Sequence, residues 1–316
     1  KKCKKDGKTK AEFLREASTI KGVYVPELYD IVYNEEGIIT AITPKDGAPE
    51  KITKRIITDM DKAYYPDKFV VPFIEIVHDR VVQEVFRGCI RGCRFCQAGF
   101  IYRPVREKSS DTVNKQAKSL CESTGYDEIS LSSLSTSDYR EIEPLLNKLL
   151  DWTEESNVSL ALPSLRIDNF SDELLEKIKH VRKSGLTFAP EAGTQRLRDV
   201  INKNVTEEEI MNTCLTAFKG GYTSVKLYFM MGLPTETDED LAEIPELAHR
   251  VVSAYYQNPN RRKGQHAQVT ISVSPFIPKP FTPFQWEPQD TLEEMERKQA
   301  FVGSCVHDRR VKYNYH

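Results

Sequence analysis

The chain has 316 residues, of which 39% are hydrophobic and 29% charged, with a formal net charge of -2 and seven cysteines. That length suits one large α/β barrel or two ordinary domains, and the near-neutral balance excludes a global electrostatic pull toward nucleic acid. No apolar run approaches the roughly 20 residues that span a bilayer, and the basic opening from Lys1 to Lys10 is followed by no apolar core. Neither a membrane helix nor a signal peptide is expected, and the chain reads as cytoplasmic.

Residues 1–80 contain a short helix candidate, AEFLREAS, followed by extended pieces punctuated by proline, GVYVPELYDIVYN and FVVPFIEIV, with NEEG and PKDGAPE as turn signals between them. This region is expected to be an irregular lead-in packed on the main body. From Val81 the texture changes to alternating strands and helices. The strand candidates are VVQEVF (81–86), DEISLSS (127–133), NVSLALP (157–163), LTFAP (186–190), TSVKLYFM (223–230) and QVTISVS (268–274). Between them lie helix starts at Ser110-Asp111, at Asp138, at Ser171-Asp172-Glu173, and at Thr206 with Glu209 as a capping box. Another start is Thr237 with Asp240, where Pro245 either interrupts the helix or marks its first turn, and the last helix runs from Thr291 to about Val302. Six successive βα units with right-handed crossovers predict an α/β fold, a partial (β/α)6 TIM-type barrel with a short irregular N-terminal extension. Residues 81–305 form its core, and residues 306–316 begin a C-terminal extension whose VKYNYH reads as the opening of a strand. The first residue is not methionine, so a segment of a longer protein is expected.

The chemistry concentrates in RGCIRGCRFCQAGFIYRPVRE, residues 87–107, which follows the first strand and carries five arginines, with no acid from Val85 to Arg106. Loops at the carboxyl ends of parallel strands are where such barrels place reactive groups. Cys89, Cys93 and Cys96 have C-x3-C-x2-C spacing. Three thiolates so spaced can hold three irons of a cubane cluster and leave the fourth iron open. A structural zinc needs four ligands, with His78 the nearby candidate for the fourth, and an electron-transfer ferredoxin uses four cysteines per cluster. Incidental core thiols are the remaining reading. Cys3, Cys121, Cys214 and Cys305 are scattered and odd in total with the rest, unlike a disulfide framework.

The cysteine loop, with aromatic Phe95 beside the last cysteine, resembles the signature of radical S-adenosylmethionine (SAM) enzymes. Together with TFAPEAGTQRLRDVINKN, LYFMMGLPTETDED and PFIPKPFTPFQW, it is similar to the cobalamin-binding-domain-associated radical SAM proteins over about residues 20–305. The resemblance implies a [4Fe-4S] cluster on Cys89, Cys93 and Cys96. It also implies SAM chelated at the open iron, reductive cleavage to methionine and a 5′-deoxyadenosyl radical, and a small electron donor of flavodoxin or ferredoxin type. The substrate is unknown. No D-x-H-x-x-G cobalamin signature occurs, so cobalamin would belong to a domain outside this chain, and a nucleic-acid or membrane partner is not expected.

Further SAM contacts implied by the resemblance are Phe95, Ser132, Ser133, Arg166, Glu191, Met231, Gly232, Phe276 and Ile277. Ser132 and Ser133 stand where relatives have a Gly-Gly-Glu-like turn, so a backbone role survives there without the acid. Arg166, with Asp168 nearby, suits the SAM carboxylate or a surface salt bridge. Glu191 suits ribose hydroxyls, or a pairing with Arg196 or Arg198. Met231 and Gly232 would lie along the adenine, with Glu236 capping the following helix, and Phe276 and Ile277 would lie at the adenine edge. Lys279 could face substrate. The arginines of the cysteine loop would either offset thiolate and substrate charge or form a solvated rim.

Overall fold

The structure, a computed structural model, describes residues 1–162, 166–167, 186–258, 261 and 264–315. It separates into two compact units, Lys1–Thr58 and Asp59–His316. Among the described residues no helix is long and apolar enough to cross a membrane.

The smaller unit holds α1 (Lys2–Lys5), α2 (Lys10–Ser18) and an antiparallel hairpin of β1 (Tyr29–Tyr33) and β2 (Ile39–Pro44). α2 starts on a reciprocal capping box: the Thr9 hydroxyl accepts the Glu12 N–H at 3.3 Å, and the Glu12 carboxylate accepts the Thr9 N–H at 2.7 Å. In the NEEG turn the Asn34 carboxamide accepts the N–H groups of Glu36 and Ile38, which closes the hairpin. Its buried apolar cluster is small, formed by Val25, Leu28, Tyr29 and Ala48.

The larger unit contains the expected βα series. β3 (Val81–Glu84) enters it, and β4 (Phe86–Arg87) pairs antiparallel with β5 (Arg106–Glu107), bracketing α3 (Gln97–Ile101). Then follow α4 (Ser110–Thr124), β6 (Glu128–Ser132), α5 (Ile142–Thr153), β7 (Ser159–Ala161), β8 (Leu186–Glu191), α6 (Gln195–Val200), α7 (Glu207–Lys219) and β9 (Ser224–Met231). The chain continues through α8 (Asp238–Gln257), β10 (Gln268–Pro275), α9 (Leu292–Ser304) and β11 (Val311–Tyr315). Two parallel sheets result, β3-β6-β7 and β8-β9-β10-β11, and among the described residues no ladder joins β7 to β8. The fold is α/β, a partial TIM-type barrel whose six core strands keep chain order, with β11 added beside β10. The helix expected from Ser171 to Gly185 lies outside the described residues.

Period-two alternation shows which way the strands face. Val225, Leu227, Phe229 and Met231 of β9 and Val269, Ile271 and Val273 of β10 are buried in one cluster with Ile210, Cys214 and Ala217 of α7 and Leu241, Leu247 and Val251 of α8. The alternate residues therefore face away from the helices: Lys226, Tyr228 and Met230 on β9, Thr270 and Ser274 on β10, and by the same count Ser130 and Ser132 on β6 and Ala189 on β8. Most of these are small or polar and half-buried, although Met230 is apolar and Ser272 of β10, on the same face, is fully buried. Such an inner face does not fill itself with layers of branched side chains, and it leaves room for a ligand.

Two helices depart from the sequence reading, and the FVVPFIEIV segment, read as an extended piece of the lead-in, pairs with no strand among the described residues. It is apolar, and Val70, Phe73 and Val77 are almost fully exposed. Asp138 does not start α5, because its carboxylate is taken by Arg91 and by the Ser135 hydroxyl; it closes a short 3-10 turn over Thr136–Asp138 instead. Pro245 lies inside α8, which the Thr237–Asp240 capping box opens.

Candidate active site

The cysteine loop hangs from the β4–β5 pair. Gly88 makes its first turn at φ +95°, and a Cβ there would stand 2.8 Å from the Tyr102 carbonyl and 2.9 Å from that of Pro104, so only glycine fits. Cys93 is buried, whereas Cys89 and Cys96 are partly exposed, and all three thiols are free. Two segments clamp the loop from outside. Asn202 donates its amide to the Gly92 carbonyl at 2.8 Å, and the Arg94 N–H donates to the Ile201 carbonyl at 2.9 Å. From the proline-rich loop after β10, the Pro280 carbonyl accepts the Gln97 amide at 3.1 Å.

The loop's arginines are spent largely on structure. Arg87 grips Glu84 in a fork at 2.8 and 2.7 Å, and Arg91 grips Asp138 at 2.9 and 2.5 Å. Arg103 donates to the Arg91 carbonyl, and Arg106 to the carbonyls of Pro104 and Tyr102. The cations that act on Cys93 come from elsewhere. Burial pushes the Cys93 thiol up, Lys203 and then Arg166 oppose that, and Cys96 and Glu191 add to it. Thiol, two cations and a carboxylate are thus electrostatic neighbours at the carboxyl ends of the strands.

Glu191 arrives there by a backbone distortion. Between Phe188 and Glu191, β8 carries one residue more than the facing stretch of β9, a bulge, and Glu191 sits at φ +71°. A non-glycine residue held in the left-handed region is strained, and such strain gathers at functional sites. The bulge brings Glu191 to Lys203, whose ammonium lies 3.2 Å from its carboxylate, with side chains only 18% and 11% exposed. Neither arginine named as an alternative partner is paired with it. Arg196 binds Asp240 and Thr235, and Arg198, fully buried, donates to the carbonyls of Ala192, Gly193 and Val205. Arg166 donates its N–H to the Ser137 hydroxyl at 3.0 Å and its guanidinium to the Lys203 carbonyl at 3.2 Å. Arg166, Glu191 and Lys203, with Leu134, Ile167, Ala189 and Val205, line a cavity of about 220 Å³. Asp168 lies outside the described residues.

The remaining expected contacts surround this centre in two groups. Ser132 ends β6, its carbonyl accepting the Val85 N–H at 3.0 Å, and the Ser133 hydroxyl bonds that of Thr136 at 2.9 Å. On β9, Met231 is buried and Gly232 turns at φ +78°, where a Cβ would meet the Asp290 carboxylate at 2.5 Å. The Gly232 N–H donates to Glu236 at 2.7 Å, and Lys298 joins Glu236 and Asp290 at 3.0 and 2.8 Å. Glu236 therefore fastens the Gly232 turn and does not cap α8, a role filled by Thr237 and Asp240. Phe276 is buried with Leu233, Ala192, Leu197, Ile201 and Phe284, and Phe95 and Met230 pack against that cluster. Ile277 is 52% exposed, and Lys279 is also exposed. Sequence reading missed Lys203 and Lys298, since each partners a carboxylate across a turn or between elements.

The pattern of the Radical SAM superfamily matches residues 84–248, which take in the cysteine loop, Arg166, Glu191, Lys203 and the Gly232 turn. The chain belongs to the radical SAM superfamily. It is 32% identical over 283 residues to an uncharacterized protein of Methanocaldococcus jannaschii, covering 90% of this chain and 58% of the other. It is 24% identical over 207 residues to the threonylcarbamoyladenosine tRNA methylthiotransferase of Aquifex aeolicus, covering 63% and 46%. The chain spans about half the length of the curated relatives it matches. Among solved structures, the radical SAM methyltransferase TsrM of Kitasatospora setae, with cobalamin and a [4Fe-4S] cluster bound, superposes with a TM-score of 0.52 at 12% identity over 66% of this chain and 39% of that one. Streptococcus suis SuiB bound to SAM gives 0.51 at 10% identity over 75% and 50%. At such identities the likeness is one of fold.

Proposed function

We propose that Cys89, Cys93 and Cys96 hold a [4Fe-4S] cluster that, reduced by a small flavodoxin- or ferredoxin-type donor, splits SAM into methionine and a 5′-deoxyadenosyl radical for hydrogen abstraction from a substrate. The observation that carries this reading is the set of three free thiols in one loop, with Lys203, Arg166 and Glu191 as charged neighbours of the buried Cys93. No fourth cysteine lies in that loop. Cys121 and Cys214 are buried on α4 and α7, where burial pushes their thiols up to about 11 and about 12, Cys305 ends α9, and Cys3 belongs to the smaller unit.

A structural zinc takes four protein ligands, and the loop supplies three cysteines. A cubane takes each thiolate at its own iron. His78, the candidate fourth zinc ligand, is exposed and lies 3.4 Å from Arg80.

Around the cluster the chain's own groups divide the work of holding SAM. Arg166 and Lys203 offer cations to its carboxylate, Glu191 accepts from ribose hydroxyls, and the aromatic cluster of Phe95 and Phe276 with the Gly232 turn keeps water from the adenine. Lys203→Met removes one cation from that set and leaves Glu191 without its partner. It is expected to raise the SAM KM about tenfold to a hundredfold, the worth of one charge-assisted hydrogen bond, with Lys203→Arg recovering part of the loss in steady-state assays. The reading as a whole is tested by anaerobic reconstitution with iron and sulfide, reduction, and mass-spectrometric detection of 5′-deoxyadenosine. Its formation in step with methionine supports the proposal, and its absence from protein loaded with iron contradicts it. Methylthiotransferase relatives make sulfur insertion the first reaction class to assay, on the whole protein.

A further inference from the structure

A second cavity lies away from this chemistry. About 1140 Å³ in volume, it is lined at the opening of β10 by His266, Ala267 and Gln268, before β11 by His307, Asp308, Arg309 and Arg310, and from α8 by His249 and Tyr256. These are the amino-terminal ends of the strands whose other ends carry Pro275 and, beside it, Met231.

Its lining is rich in donors and short of acceptors. Among the described residues Asp308 is the sole carboxylate in the wall, and both its oxygens are bound by Arg310 at 2.6 to 3.0 Å. That guanidinium holds the Asp308 carboxyl at about 2, so it stays an anion already spent on its neighbour. Tyr256 is no stacking platform, because the guanidinium groups of Arg310 and Arg261 lie 4.6 and 5.2 Å from its ring centre. His249 stacks with His307 at 6.1 Å between centroids and has Glu246 at 3.3 Å on Nδ1. Its Nε2 is buried with no hydrogen-bond partner among the described residues. Among the described residues no group of three or more His, Cys, Asp or Glu is placed to hold a metal ion. The three histidines line the cavity beside Arg309 and Arg310, and the His266 Nδ1 lies 3.4 Å from the Tyr256 hydroxyl. A planar guanidinium with imidazole N–H groups suits tetrahedral oxyanions bearing several oxygens.

We infer that this cavity binds a phosphate-bearing molecule, its oxygens received by Arg309, His266 and His307. The site is independent of the cysteine loop, and its occupant is recognised by phosphate and not by base stacking. The test uses the reconstituted chain with inorganic pyrophosphate as the probe, followed by calorimetry and by NMR of 15N-labelled histidine. Saturable binding that shifts the ring signals of His249, His266 and His307 is expected. His307→Ala and Arg309→Ala, both at exposed positions, should each weaken it about tenfold, while Cys93→Ala leaves it unchanged. A mononucleotide and a short single-stranded RNA, titrated alongside, separate the two sources of phosphate: equal affinities assign a free phosphate compound, and tighter RNA binding dependent on the same two residues assigns a nucleic-acid backbone. No saturable binding of pyrophosphate, or binding untouched when His307→Ala and Arg309→Ala are combined, overturns the inference.

Discussion

Cys93→Ala is expected to yield a folded chain that no longer makes 5′-deoxyadenosine, with product below about one hundredth of the wild-type yield, since even outer-shell partners of a metal are worth about 10–100-fold. Cys93 is the buried member of the three and the one on which Lys203 and Arg166 act. Losing it removes a ligand and its electrostatic surroundings together. The change is small and lies in a loop, so the helix and strand content seen by circular dichroism should not move. Iron bound per chain after reconstitution should fall with the product. Cys305→Ser is the control: Cys305 ends α9 and has no part in the loop, so iron and product should both be retained. Equal losses in the two variants would show that the effect is not specific to the loop and would remove its special role.

The second large effect is on stability. Lys298 is 9% exposed and holds Glu236, 2% exposed, together with Asp290, and Glu236 in turn fastens the Gly232 turn. Lys298→Met is expected to cost about 3–5 kcal/mol in urea unfolding, because it leaves the buried Glu236 carboxylate and the partly exposed Asp290 without their cation. Combining it with Glu236→Gln and Asp290→Asn should recover most of that loss. Burial already raises the Glu236 carboxyl, and the Lys298 charge opposes this. Without the lysine, Glu236 would be raised further in the folded state than in the unfolded chain, so the folded state would bind the extra proton. The variant's stability should then increase as pH falls below neutrality and decrease as pH rises through the folded-state value. A variant with unaltered stability and no such pH slope would show that the three groups do not act as one unit.

Much of the frame was legible in the sequence because its signals are local. Alternating Val and Ile in the strands after Val81, and the capping boxes of Thr206–Glu209 and Thr237–Asp240, depend on residues at most a few positions apart. The cysteine loop was legible for the same reason. Features set by long-range pairing were not. Asp138 has the residue type of a helix cap, but Arg91 claims it from 47 positions away. The Glu191 bulge shows only when β8 is laid against β9, and Lys203 gains meaning only once that bulge turns Glu191 toward it. FVVPFIEIV has strand composition without a strand partner among the described residues, since apolar β-branched residues favour a sheet only where another strand receives them.

The central claim is an iron left open by a three-thiolate grip, and electron paramagnetic resonance of the reduced, anaerobically reconstituted chain with and without SAM tests it most directly. The account predicts a [4Fe-4S] signal that changes shape when SAM is added and is missing from Cys93→Ala. A cluster signal indifferent to SAM, or a chain that takes up zinc and no iron, would contradict it.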